Sequence, residues 1–226
     1  MVSSRVTTQS KKPAPYEIHA EQDPVVPEPL GPIVLKLDPV LRLTGELLLE
    51  LCSLNDAVRI ELNAKQELEL LPPANPSSSN QNANISVDLG NWARANGTGL
   101  GSDSYAGFTP PNGAVRSPDA SWILKERCAE IPDKEKHKFT PIVPDFVVEL
   151  RSPSDSLRGI QAKLEEYIAH GVRLGWLIDL LDPRHRVYVY RPNAPVEVRE
   201  GPETLSGDPE LPGFVLDLQP VWGPAL

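Results

Sequence analysis

Three charged residues, far apart along the chain, have the types needed to hydrolyse a phosphodiester bond. Asp119 follows a Ser-Pro pair, Glu149 lies near the end of an apolar run, and Lys163 lies in the helical pattern after it. Two carboxylates can hold Mg²⁺ or Mn²⁺, which prefer oxygen ligands and keep positions open for water and phosphate oxygens. A nearby lysine can orient or deprotonate the attacking water, or stabilise charge on phosphorus. If the three side chains meet, we expect a site for metal-dependent phosphodiester hydrolysis.

The segment around Glu149 predicts a strand that ends at a turn. Residues 146–150 have strong strand preference, and residues 152–155, Ser-Pro-Ser-Asp, favour a turn. Because side chains alternate along a strand, Glu149 shares one face with Val147 and Arg151. Glu149 therefore interrupts an otherwise apolar strand, and we expect it to have a partner, since burying an unpaired carboxylate is costly.

The residues after this turn predict an amphipathic helix that carries Lys163 toward the sheet. Asp155 or Ser156 is the expected N-cap, and Gly171 the expected end. Apolar residues recur between them at helical spacing, at Leu157, Ile160, Leu164, Tyr167 and Ile168. At about 100° per residue, Lys163 lies on the shoulder of this stripe, whereas Glu166 is expected to face solvent.

The remaining patterns predict a mixed β-sheet flanked by helices and edged by hairpins, an α/β (α+β) arrangement. Helices are expected from Thr44 to Asn55, from the end of the loop 72–80 to Gly97, and over the charged segment 125–137 with a break at Pro132. Further strands are expected at 58–62, 68–71, 100–104, 106–109, 114–124, 172–179, 187–190 and 196–198. Asp119 then lies inside a strand, although aspartate disfavours strands and a Ser-Pro-Asp turn at the strand's start is the alternative.

Length and composition indicate one folded domain, residues 44–226, after a proline-rich flexible arm, residues 1–43. The formal net charge of -9 favours solubility and opposes strong non-specific attraction to DNA or acidic membranes, but is compatible with a local basic groove. Two separated cysteines, no basic leader and no apolar run of about 18 residues favour a cytoplasmic protein without a membrane partner.

Four segments of the chain resemble the Uma2 family in their order and spacing. They are residues 116–119, 144–155, 163–167 and 171–179, within a resemblance that spans about residue 42 to residue 222. Uma2 proteins are mostly bacterial and have long been catalogued as a domain of unknown function. They are similar to PD-(D/E)xK nucleases, whose core is a mixed sheet flanked by helices. The resemblance therefore implies a restriction-endonuclease-like fold.

The same resemblance implies an Mg²⁺ (or Mn²⁺)-dependent endonuclease that acts on nucleic acid, with DNA favoured. Asp119 matches the aspartate of the family's Pro-Asp motif, Glu149 its second metal carboxylate, and Glu61 an earlier acidic residue that joins the metal site. One position departs from the nuclease pattern, because Arg151 stands where a lysine is usual. In Uma2-like chains the lysine has moved to the following helix, which makes Lys163 its replacement.

Simpler roles remain open for each candidate residue. Asp119 can be a turn residue, Glu149 can pair with Arg151 or Arg173, and Lys163 can extend along the surface with its amine in solvent. A different class of function, a binding or regulatory module with little or no cleavage, predicts no affinity for divalent metal. A homodimer through the C-terminal hairpin is compatible with either. If Asp119 and Glu149 are neighbours, we expect at least one raised pKa in the absence of metal, because like charges repel.

Overall fold

Three β-sheets and five α-helices make up the described part of this computed structural model, residues 31–136 and 138–223. The strands are β1 (Ile33–Lys36), β2 (Arg59–Leu62), β3 (Glu67–Leu71), β4 (Gly99–Asp103), β5 (Ala120–Leu124), β6 (Phe146–Arg151), β7 (Leu174–Asp179), β8 (Arg186–Tyr190), β9 (Glu197–Glu200), β10 (Thr204–Ser206) and β11 (Val215–Asp217). The helices are α1 (Gly45–Leu54), α2 (Pro76–Asn96), α3 (Lys125–Ala129), α4 (Leu157–Ala169) and α5 (Gln219–Trp222). None of these helices is long and apolar enough to cross a membrane.

The largest sheet has six strands in the order β4-β5-β6-β7-β8-β9. Strands β6 and β7 are parallel, whereas the other neighbours are antiparallel. The parallel pair requires a crossover connection, and α4 supplies it. The predicted hairpin, β7 and β8, has β9 along its outer edge, so the exposed edge on that side is β9.

Alternate side chains of β6 lie on opposite faces of the sheet, as the sequence pattern predicted, and enter two different apolar cores. Phe146 packs with Trp176 and Phe214 between the sheet, α2 and the C-terminal segment, with ring centroids 4.7 to 6.0 Å apart. Val147, from the opposite face, packs with Leu164 of α4. Glu149 follows Val147 on that second face, which directs its carboxylate toward α4.

The three-stranded sheet, in the order β1-β3-β2, brings Glu61 to the six-stranded sheet. Leu62 and Val115 exchange backbone hydrogen bonds of 3.0 and 2.8 Å, which ties β2 to the chain just before Asp119. Leu48 of α1 covers this junction and is fully buried with Leu62 and Val115. The bridge thus holds Glu61 beside the segment that leads into β5.

The ends of the helices follow local sequence chemistry. Thr44 caps α1 through a side-chain hydrogen bond from Leu47 N, and Asn55 ends it, as predicted. Ser156 caps α4 by accepting the N–H of Gly159 at 3.1 Å. Helix α2 begins earlier than predicted, at Pro76 with Asn75 as its N-cap, because a proline at the first helical position lacks only an N–H that would stay unpaired.

Three strand predictions differ from the structure. Residues 106–109 form no strand, and Phe108 makes isolated bridges to Arg116 and Thr140 instead. The strand predicted over 114–124 begins only at Ala120, because Pro118 has no N–H to donate to a ladder. Strand β1 lies inside the predicted arm, so regular structure begins before residue 44; residues 1–30 of that arm lie outside the described residues.

Candidate active site

Asp119, Glu149 and Lys163 meet at the C-terminal end of β6. Nζ of Lys163 lies 2.9 Å from Oε1 of Glu149. The backbone N–H of Leu150 donates to Oδ2 of Asp119 at 2.8 Å, which places Asp119 against the same end of the strand. Asp119 occupies the bend just before β5, so the turn alternative describes its backbone correctly. Its side chain nevertheless points to the end of β6, where it accepts the N–H of Leu150.

A buried tyrosine of α4 donates a hydrogen bond to the carboxylate of Glu149. The hydroxyl of Tyr167 donates to Oε1 of Glu149 at 3.0 Å, and both residues are at most 3% exposed. The apolar stripe of α4 predicts that Tyr167 is buried but does not predict this contact of its hydroxyl. A tyrosine one turn after Lys163 was the available signal, since a buried hydroxyl usually finds a partner.

Both carboxylate oxygens of Glu61 contact hydrogen-bond donors, and the residue is 1% exposed. Its Oε1 lies 3.1 Å from Nζ of Lys163, 3.4 Å from Nη2 of Arg59 and 3.3 Å from the Ser117 nitrogen. Its Oε2 lies 3.3 Å from Nη1 of Arg116. The Lys163 ammonium is therefore shared by two carboxylates, one from each sheet.

Arg59 is a second cation of the site that sequence reasoning missed. Its Nη1 lies 3.3 Å from Oδ1 of Asp119, and Nη2 also donates to the carbonyl of Ser117. The available signal was its spacing, because residues two apart on β2 lie on one face, which places Arg59 beside Glu61. The pattern gave no indication that Asp119 would lie beside Arg59.

Glu166 was predicted to face solvent, and that prediction is wrong. Its carboxylate accepts from Nη2 of Arg116 at 2.9 Å and from Nδ2 of Asn112 at 3.0 Å, with 16% of the side chain exposed. Arg116 is itself buried and also contacts Glu69 at 2.7 Å. The loop before β5 covers this part of α4, which the helix's own periodicity does not reveal.

The arginines that offered an ordinary ion pair to Glu149 are bound elsewhere. Arg151 lies 2.9 Å from Asp179, its register partner on β7. Arg173 lies 3.8 Å from Asp145. Glu149 is paired with Lys163 instead, so the ordinary pairings do not account for its position.

Burial and neighbouring charge control ionisation in this cluster. Burial raises the pKa of Glu149, Lys163 and Arg59 oppose the rise and Asp119 and Glu61 add to it, with a net pKa of about 7. One acid of the pair thus has a raised pKa, as expected, but burial is the main cause and repulsion by Asp119 a smaller one. Burial alone would raise the pKa of Glu61, but Lys163, Arg59 and Arg116 together lower it. Burial alone would lower the pKa of Lys163, but Glu149 and Glu61 raise it, so its amine stays an ammonium at neutral pH.

The carboxylates that could hold a divalent cation are those of Glu149 and of Asp119, whose oxygens here contact Arg59 and the Leu150 N–H. The Asp119 side chain is 16% exposed, and among the described residues no hydrogen bond reaches Oε2 of Glu149. Within residues 31–136 and 138–223, no three Asp, Glu, His or Cys side chains lie close enough together to hold an ion. Two carboxylates are a set that Mg²⁺ uses when water and phosphate complete its coordination. Glu61, already held by four donors, stays a prediction as a third ligand.

The mixed sheet with a helix crossing between its parallel strands is a nuclease-like, restriction-endonuclease-like fold. The chain belongs to the Uma2 family, described as "Putative restriction endonuclease", which it matches over residues 46–219. It is also similar to the crystal structure of "a putative nuclease belonging to DUF820" from Anabaena variabilis ATCC 29413, with 20% identity and a TM-score of 0.61. That likeness covers 72% of this chain and 89% of the other, and shows a shared fold. No curated protein matches the sequence.

Proposed function

We propose that the protein is an Mg²⁺ (or Mn²⁺)-dependent endonuclease that hydrolyses phosphodiester bonds of nucleic acid. Membership of a family described as a restriction endonuclease favours DNA as the substrate. Asp119 and Glu149 would hold the ion, and Lys163 would assist the attacking water. A homodimer and a cytoplasmic location stay predictions.

The observation that carries this proposal is the shared ammonium of Lys163. It lies within 3.1 Å of Glu149 on β6 and of Glu61 on β2. Asp119 accepts a hydrogen bond from the backbone N–H of Leu150, the residue after Glu149. Four charged residues from distant parts of the chain therefore converge at one strand end. Stability alone gives little reason for such a cluster, since burying charges costs as much as their pairing returns.

Each residue has a defined task under this proposal. A bound ion would lower the pKa of its water and neutralise charge on the phosphate. Lys163 keeps its proton, so it orients water or stabilises the developing negative charge and does not act as the general base. Tyr167 fixes the rotamer of Glu149, and Arg116 holds Glu61, which in turn positions the Lys163 amine.

Cleavage of supercoiled plasmid DNA, with a single-stranded RNA tested in parallel, examines the proposal. In Mg²⁺ or Mn²⁺ the wild type should nick the DNA. Asp119→Asn, Glu149→Gln and Lys163→Met should each lower the rate by about a hundredfold or more, the usual cost of removing one aligned charge or donor. Lys125→Met is the matched lysine control, since its amine binds the Gly97 carbonyl beyond the opposite end of β5.

Two results would contradict the proposal. One is a wild type that cleaves neither nucleic acid with either metal. The other is a Glu149→Gln protein that cleaves at the wild-type rate, because a contaminating nuclease would then explain the activity.

A second candidate is a binding or regulatory module on the same fold with no cleavage. It is favoured by the pairing of every acid in the cluster with a cation, Arg59, Arg116 or Lys163. This alternative predicts that the wild type and Glu149→Gln bind nucleic acid equally and that neither binds Mn²⁺. Calorimetric titration with Mn²⁺ distinguishes the two functions.

A further inference from the structure

The guanidinium of Arg59 spans the gap between two acids of the site. Nη1 is 3.3 Å from Oδ1 of Asp119, and Nη2 is 3.4 Å from Oε1 of Glu61. The other oxygen of Asp119 already accepts the backbone N–H of Leu150 at 2.8 Å. Arg59 therefore holds the oxygen of Asp119 that the backbone leaves available to a ligand.

These contacts are weak enough to be exchanged. Both contacts with acids exceed the roughly 2.7–2.9 Å of a strong charge-assisted hydrogen bond, whereas the closest contact of Arg59 is with the neutral Ser117 carbonyl. The Arg59 side chain is 33% exposed and therefore borders solvent, although its Nε is buried and makes no hydrogen bond within the described residues. Arg116 differs, because its side chain is 7% exposed and its three acidic partners include Glu69 at 2.7 Å. Arg116 is thus fixed by buried contacts, whereas Arg59 lies on the solvent-exposed side of the cluster.

Charge balance explains why a cation is needed at this position. Glu61, Asp119 and Glu149 converge, and Lys163 contacts only Glu61 and Glu149 among them. Without Arg59, Asp119 would face two other acids with no cation of its own. A divalent ion bound by Asp119 would supply the same positive charge, which makes the guanidinium redundant.

We propose that Arg59 is a resident counter-ion that neutralises Asp119 in the metal-free protein and must release it when a divalent cation binds. This inference rests on the proposed function, because it concerns the same two carboxylates. Arg59 is then a positioning residue that limits metal affinity, and the protein takes up metal only by exchanging one cation for another.

A purely structural role for Arg59 predicts the opposite effect. Through its contacts with the Ser117 carbonyl and Asp119, Arg59 also braces the bend before β5. If bracing were its main role, its removal would loosen Asp119 and weaken metal binding. If it is a competing counter-ion, its removal frees a carboxylate oxygen and strengthens metal binding. The sign of the change separates the two roles.

The test is calorimetric titration of the full chain with Mn²⁺. For Arg59→Gln we expect binding about fivefold tighter than for the wild type, the scale set by one partly exposed ion pair. Arg59→Lys keeps the charge but loses the fork that spans both acids, so its affinity should rise by less, about twofold. The control is Arg191→Gln, which removes the same charge from an ion pair of similar exposure, with Glu210 after β8, and should match the wild type.

The outcomes separate this inference from the function on which it rests. A wild type that binds Mn²⁺ with an Arg59→Gln that binds equally or more weakly overturns the inference and leaves the nuclease proposal intact. No binding by either folded protein overturns both. If thermal unfolding shows that Arg59→Gln does not fold, Arg59→Lys decides, and an affinity at or below that of the wild type overturns the inference.

Discussion

Replacing Lys163 by methionine should destabilise the protein in a pH-dependent way. The ammonium is 2.9 Å from Glu149 and 3.1 Å from Glu61, which are 3% and 1% exposed. Removing one partner of a buried ion pair costs about 3–5 kcal/mol because the other charge is left uncompensated. Arg59 and Arg116 still neutralise Glu61, so most of the loss falls on Glu149. We expect about 3 kcal/mol at pH 8.5.

The loss should shrink as the pH falls, since Glu149 can escape its uncompensated charge by taking up a proton. Burial holds its folded-state pKa at about 7, above its ordinary value, and loss of Lys163 raises that pKa further. Between the ordinary pKa and this raised one, the native state of the variant binds more protons than the unfolded state. Its stability therefore falls with rising pH across that window and is restored below it. At pH 5.5 the cost should be about 1 kcal/mol.

Urea unfolding at the two pH values measures this effect. Glu149→Gln provides the matched test, because it removes the charge but keeps an oxygen for the Tyr167 hydroxyl. The double variant Lys163→Met/Glu149→Gln should recover most of the stability lost at pH 8.5. A loss below about 1 kcal/mol that is the same at both pH values, as found for exposed pairs, would refute the assignment of a buried pair.

Three other perturbations have defined expectations. Binding of Mn²⁺ at pH 7 should release protons, because the pKa of Glu149 is about 7 and a metal ligand must be ionised; equal heats in buffers of different ionisation enthalpy would contradict this. Tyr167→Phe removes the hydrogen bond to Glu149 and should cost about 1 kcal/mol in urea unfolding and weaken Mn²⁺ binding, whereas an unchanged affinity would mean that Tyr167 does not position the carboxylate. Phe214→Ala should cost about 3–5 kcal/mol, since Phe214 is 1% exposed between Phe146 and Trp176, while Tyr105→Ala, at a residue 89% exposed, should stay within about 0.5 kcal/mol.

The elements that position the candidate site could be predicted because their signals are local. Strand β6 has a run of strand-forming residues and a turn after it, and α4 has a cap, an apolar stripe and a glycine after its end. Lys163 lay on the shoulder of that stripe, and its amine does reach the sheet. These predictions needed only the periodicity of one element at a time.

The rest of the charge cluster could not be predicted, because it depends on how the two sheets meet. The bridge between Leu62 and Val115 brings Arg59 to Asp119 and Glu61 to Arg116, and no local pattern encodes that pairing. Glu166 shows the limit clearly. A helical projection orients a residue relative to its own helix but does not show that another segment will cover its polar face.

The departure at Arg151 has a structural explanation in the register of the parallel strands. Arg151 is paired directly with Asp179 on β7, and that aspartate is fully buried, so it requires a cation of its own. The Arg151 side chain therefore extends toward the neighbouring strand β7 and pairs with Asp179 instead of the carboxylates of the candidate site. Lys163 approaches Glu149 from α4, which packs over the same face, and places its ammonium 2.9 Å from that carboxylate. The chain can therefore keep a lysine beside its acids without keeping it on the strand, and the crossover helix becomes part of the site as well as part of the core.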